Sequence, residues 1–146
     1  GTDLAMRPVT SAIDGMKAAY IRQVVFVIGQ SVPVEEEFDG SDEHAKSFLL
    51  MKNGEAIGTI RYLIDGPHEF HIGRVAIIEK YRGRGYGKAM MRWLHNHIYE
   101  KYNPAHITIH AQSYLKNFYE QFGYIAEGEE FLEAGIRHYK MTVTLK

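Results

Sequence analysis

Arg82-Gly83-Arg84-Gly85-Tyr86-Gly87-Lys88 is the stretch on which the reading of this chain turns. It follows an apolar, strand-like run from Val75 to Ile78 and opens an amphipathic helical pattern. Glycines at alternate positions let the main chain turn tightly and bring successive N–H groups toward an anion, while the helix behind presents its positive end. Arg82 and Arg84 are placed to add charge-assisted hydrogen bonds. Taken alone, the same residues also describe a glycine-rich strand-to-helix turn with two solvated arginines. Spacing sets aside two nucleotide loops. A dinucleotide fingerprint would need glycine where the chain has Lys88. A P-loop would need four residues between its glycines and a hydroxyl after its lysine, but Gly83 and Gly87 enclose three and Ala89 follows Lys88.

Outward from the loop, the patterns alternate between strand and helix. Residues 14 to 30 put Met16, Ala19, Tyr20, Val24, Val27 and Ile28 at helical spacing, which predicts a first helix after a short apolar start at Leu4 to Val9. Ser31 to Glu43 holds Pro33, Gly40 and six carboxylates and reads as a loop without a pattern for burial. Ala45 to Met51 and Glu55 to Ile64 read as strands joined at Asn53-Gly54, a strong hairpin signal. Phe70 to Ile78 forms another strand, apolar at its end as in a sheet covered on both faces. Behind the glycine loop, Tyr86, Ala89, Met90, Trp93, Leu94 and Ile98 form a helical stripe that Asn103-Pro104 ends. His106 to Ala111 alternates as a strand. Residues 113 to 122 predict a short helix with Leu115, Phe118 and Phe122 facing inward, closed by Gly123. Tyr124 to Glu129 and Ile136 to Leu145 read as two closing strands around Glu133-Ala134-Gly135. The sum is an α/β (α+β) fold: a mixed, mostly antiparallel sheet with helices on both faces.

Length and composition bound the classes. The 146 residues suit one domain, 1–146, in which an initial Gly1-Thr2 without Met reads as a possible cloning remnant. With 17 basic and 18 acidic side chains there is no overall field to draw nucleic acid or anionic lipid, and Arg82, Arg84, Lys88 and Arg92 form only a local patch. The absence of cysteine removes disulfides, thiolate metal sites and a thiol nucleophile together. No run approaches the roughly 18 apolar residues of a membrane span, and no signal segment opens the chain. A soluble, cytoplasmic protein without a metal is expected.

Arg82, Gly85 and Gly87 match R/Q-x-x-G-x-G/A, and there the chain resembles the GNAT superfamily of acyl-CoA N-acyltransferases. Gln112-Ser-Tyr-Leu-Lys-Asn-Phe118-Tyr119-Glu-Gln-Phe-Gly123-Tyr124 is similar to that superfamily's later helix, N-x-x-A-x-x-x-Y-E-K-x-G-F, with Gln112 for Asn and Leu115 for Ala. The resemblance implies acetyl-CoA as acyl donor. Its pyrophosphate would lie over Arg82, Gly83, Arg84, Gly85, Tyr86, Gly87 and Lys88, with Val75, Ala76 and Ile77 offering main-chain groups to the pantetheine and thioester, and Gln112 and Phe118 beside them. It also places at Tyr119 the phenol that protonates the departing thiolate. An ordinary phenol, with a pKa of about 10, suits that task; the competing reading is an inward helix face.

The acceptor amine must lose a proton, and His110, His71 or a water chain to Glu36 or Glu37 are the candidates; the sequence leaves them open. Glu35, Glu36, Glu37, Asp39, Asp42 and Glu43 either steer a cationic amine or solvate a loop. Ile21 to Gln30 and Phe131 to His138 resemble the ElaA-like branch of small bacterial GNAT enzymes, which usually carries Glu where this chain has Gly29. The resemblance therefore implies an N-acetyltransferase that modifies a small amine in a ternary complex. A non-catalytic acyl-CoA sensor and a peptide or protein N-acetyltransferase are the alternatives. A homodimer is expected only by analogy with such folds.

Overall fold

The computed structural model describes residues 3–40 and 44–146; Asp42 and Glu43 of the acidic run lie outside them. Strands β1 (Leu4–Pro8), β2 (Ala45–Lys52), β3 (Glu55–Gly66), β4 (Glu69–Ile77), β5 (Ala105–Gln112), β6 (Ile125–Glu133) and β7 (Ile136–Leu145) form one sheet in the order β1-β2-β3-β4-β5-β7-β6. Every neighbouring pair is antiparallel except β4 and β5. That exception follows from connectivity, because helix α3 (Tyr86–Tyr102) crosses over between them. At the expected hairpin Asn53 and Gly54 have φ of 49° and 85°, the left-handed pair that a two-residue turn demands.

Alternation along β2 sends Phe48 and Leu50 to one face and Leu49 and Met51 to the other. The first face carries α3, whose Met90, Met91, Leu94 and Ile98 are wholly buried. At about 2 kcal/mol per side chain, those four contribute on the order of 8 kcal/mol as an upper estimate. Ala89, placed on the inward stripe by spacing, is instead exposed.

The opposite face carries α1 (Ala12–Arg22) and the π-helical segment Gln23–Ile28 that continues it. Here the expected apolar stripe is not the buried one. Met16, Tyr20 and Ile28 are exposed, while Ala18, Ile21 and Val25 pack on Leu49, Met51 and Ala76, together with buried Asp14 and Arg22. Polar residues can face inward because each is paired: Arg7 Nη2 donates to Asp14 Oδ1 at 2.9 Å and Arg22 Nε to Glu37 Oε2 at 2.7 Å.

Two further readings change. The Ser31–Glu43 loop contains a short helix, α2 (Val34–Glu37), and Glu37 is buried. The helix read over 113–122 divides into a 3-10 turn, Ser113–Leu115, and α4 (Lys116–Glu120), whose most buried residue is Tyr119. No helix among the described residues is long and apolar enough to cross a membrane.

Candidate active site

β4 and β5 pair from Glu69 with His106 to Ile72 with Ile109 and then part. On its other side β4 stays with β3, but the register slips: Arg61 faces Gly73 and Thr59 faces Ala76. The extra β4 residue makes a bulge in which Arg74 takes φ of 53°. Past it, Ile78 N–H donates to Ile57 O of β3 at 2.9 Å. By the alternation of the ladder, Ala76 shares that side, leaving Val75 and Ile77 to direct their main-chain groups toward the open gap. Ile77 O accordingly accepts a hydrogen bond from Arg82 Nε at 2.9 Å.

The gap widens into a cleft of about 690 Å3. Its walls include Val75 from β4, His110 and Gln112 from β5, Tyr119 from α4, and Glu133 from the end of β6. Phe26 and Gln30 close it from the π-helical side, and Glu35, Glu36 and Glu37 from α2. Gln30 and Gln112 exchange two amide hydrogen bonds, of 3.2 and 2.9 Å, across this wall. Gly29 is exposed and does not line the cleft, so the departure from the ElaA-like pattern falls beside the site.

The glycine loop lies at the carboxyl end of β4, outside this cleft. Gly83 and Gly85 have φ of 77° and 81°, and an added Cβ at either would meet open space. Their requirement is thus conformational, for a turn that ends in the first residues of α3, where Tyr86, Gly87 and Lys88 have N–H groups without carbonyl partners inside the helix. Such a helix start is an anion-accepting geometry. Arg82 uses one donor to hold the loop to Ile77, Arg84 lies 5.8 Å over the Tyr81 ring, and Tyr81 donates to Glu55 Oε2 at 2.6 Å. A Cβ at Gly87 would touch Phe118 Cζ at 3.7 Å, so Phe118 joins α4 to the loop.

Burial raises the Tyr119 phenol well above its ordinary value, so the group stays protonated at any physiological pH. His110 Nδ1 lies 3.0 Å from Glu133 Oε1. A carboxylate only accepts, so Nδ1 carries the hydrogen and the Nε2 lone pair of a neutral His110 is left available. The hydrogen bond from His110 holds the Glu133 carboxyl below its ordinary range. His71 packs edge-on against His110, with ring centres 4.8 Å apart; burial, then the neighbouring His110, lowers its pKa. His138 Nε2 lies 3.9 Å from Glu133 Oε2. Glu37, one of the sequence candidates for a base, is engaged elsewhere, buried between Arg22 and Arg74. Glu133, His138 and Arg74 are cleft residues that sequence reasoning did not single out as site residues. Glu133 and His138 sit in the Phe131-to-His138 segment as a signal, whereas nothing marks Arg74.

A sheet whose parallel strands part beside a glycine-capped helix is the architecture of acyl-CoA N-acyltransferases, and the acetyltransferase (GNAT) domain family matches residues 21–145. The chain belongs to this family. Among its relatives, YyaT of Bacillus subtilis is 32% identical over 94% of this chain and 93% of its own length. ElaA of Escherichia coli is 32% identical over 83% of this chain and 81% of its own. The ElaA crystal structure superposes with a TM-score of 0.85, covering 97% of this chain and 99% of that one at 27% identity. A GNAT acetyltransferase from Elizabethkingia anophelis, solved with acetyl-CoA bound, shares the fold at a TM-score of 0.71, covering 98% and 97% of the two chains at 17% identity.

Proposed function

We propose that this domain transfers the acetyl group of acetyl-CoA to the primary amine of a small molecule by direct attack within a ternary complex. The observation that carries the reading is that Val75, His110 and Tyr119 line one cleft at the point where β4 and β5 separate. The donor pyrophosphate sits on Arg82 to Lys88, its pantetheine runs along Val75 and Ile77 but not along Ala76, whose main chain is taken by β3, and Phe118 and Gln112 flank it. That an Elizabethkingia homologue of the same fold was solved with acetyl-CoA supports the choice of donor.

The amine nitrogen attacks the thioester carbon, and a C–N bond forms as the carbonyl oxygen gains negative charge. A main-chain N–H of the unpaired β4 segment, at Val75, donates to that oxygen. The surplus amine proton passes to His110 Nε2, with Glu133 orienting the ring through Nδ1. When the C–S bond breaks, the departing thiolate takes the phenolic proton of Tyr119. Solvent then removes the proton from His110 and restores one to Tyr119. Burial makes Tyr119 a weaker acid than a free phenol, so its part is to hold a proton against the sulfur and release it only as full thiolate charge develops.

Calorimetric titration with acetyl-CoA, using ATP and NAD as controls and a doubly substituted Arg82→Ala, Arg84→Ala protein, tests the donor side. Selective binding that the variant weakens, followed by free-thiol release in a screen of small amines, is the expected result. Equal binding of all three nucleotides would sink the donor assignment, and binding without turnover of amines or peptides would reduce the protein to an acyl-CoA sensor.

A further inference from the structure

Two opposite walls of the cleft are bound together by an arginine that the reaction itself does not use. On one wall, α2 carries Glu35 and Glu36 on the rim and turns Glu37 inward, where it is 3% exposed. Arg22 holds it from the helix side, Nε donating to Glu37 Oε2 and Nη2 to Glu37 O, both at 2.7 Å. From the other wall, Arg74 Nη2 donates to Glu36 O at 3.3 Å and Glu37 O at 3.2 Å. Arg74 Nε also lies 2.9 Å from Glu37 Oε2, a close ion pair that is out of line for a hydrogen bond.

Arg74 makes these contacts from a left-handed backbone position, φ 53°, in the bulge where β4 leaves β5. Glycine would adopt that conformation without steric cost. The bulge alone therefore does not call for arginine; the planar fork reaching α2 does. We infer that Arg74 is a positioning residue that fixes the acidic wall of the cleft, α2, against the bulge at which the thioester is attacked, so that the wall can receive the amine. The inference rests on the acyl-transfer reading of the cleft.

Arg74→Gly is the test, because glycine adopts φ of 53° freely while the variant loses the tie to α2, together with the weaker charge interaction with Glu133. Hydrogen exchange at Glu37 and Phe38, whose N–H groups bond Pro33 O and Val34 O, should accelerate at least tenfold while exchange in α3 is unchanged. The KM for the amine should rise about tenfold with acetyl-CoA affinity within twofold of the parent, a split that general loosening of the fold would not give. Arg74→Lys, with charge but no fork, should fall between the two. Unchanged exchange at 37 and 38 would overturn the inference, as would a loss of acetyl-CoA affinity equal to the loss for the amine. A parent protein that turns over no amine defeats the acyl-transfer reading, and the exchange comparison still decides whether Arg74 holds α2.

Discussion

The two sides of the proposed site, the glycine loop and the histidine wall of the cleft, are assembled in opposite ways. The loop from Arg82 to Lys88 is one contiguous stretch whose shape comes from two left-handed glycines and the start of α3. The histidine side draws His71 from β4, His110 from β5, Glu133 from the end of β6 and His138 from β7, residues that meet because β4 pairs with β5, β5 with β7 and β7 with β6. Backbone chemistry serves the first region and side-chain geometry the second. Damage to one should therefore appear in donor binding, and damage to the other in amine turnover.

Tyr119 stands between the regions and should give the largest effect. Tyr119→Phe is expected to lower kcat about a thousandfold, within the range for loss of a general acid, with acetyl-CoA affinity nearly unchanged. A loss of a few-fold would make Tyr119 a packing residue and break the proposed link between the two sides.

A histidine off the cleft should dominate acid sensitivity. His95, on α3, shares a 2.8 Å hydrogen bond with the Tyr124 hydroxyl, and burial lowers its pKa from 6.5 to about 4. Below pH 6.5 the unfolded chain takes up a proton that the native residue declines until about pH 4, so stability falls on acidification through that window. The full loss is up to about 3 kcal/mol. Urea unfolding followed by the single tryptophan, Trp93, at pH 7 and pH 4.5 should show the slope, and His95→Gln should flatten it. If the slope persists in that variant, His71, whose pKa burial also lowers, carries it instead.

Gly85→Val tests the contiguous region alone. Forcing a β-branched residue to φ of 81° costs about 1–2 kcal/mol. Acetyl-CoA affinity should drop at least tenfold by calorimetry as the loop relaxes away from its anion-accepting shape. Smallest is Glu133→Gln, which keeps an acceptor for His110 Nδ1 but removes the charge. It should lower kcat/KM for the amine about fivefold, about 1 kcal/mol, without touching donor affinity. Equal effects of these last two substitutions on donor binding would erase the distinction between the sides.

The contrast also explains what could be read in advance. The glycine loop, the Asn53-Gly54 hairpin and the α3 stripe depend on neighbours in sequence, and each is found where spacing put it, with the exception of exposed Ala89. The first helix misled because it is apolar on more than one side. Periodicity favoured Met16, Tyr20 and Ile28, yet the face bearing Asp14 and Arg22 is buried, since Arg7 and Glu37 neutralise it from distant segments. Glu37 misled for the same reason. In sequence it is one acid in a run, and in space it is the counter-ion of Arg22 and Arg74.

What the chain settled by itself is its alternation of strands and helices, its family and the left-handed glycine turn that opens α3, because those follow from local conformational preference. Tertiary structure decided which carboxylates face solvent, which histidine gains a partner and which arginine spans the cleft. Those outcomes depend on the pairing of β5 with β7 and on the parting of β4 from β5, where burial and opposed charges fix each ionisable group's role.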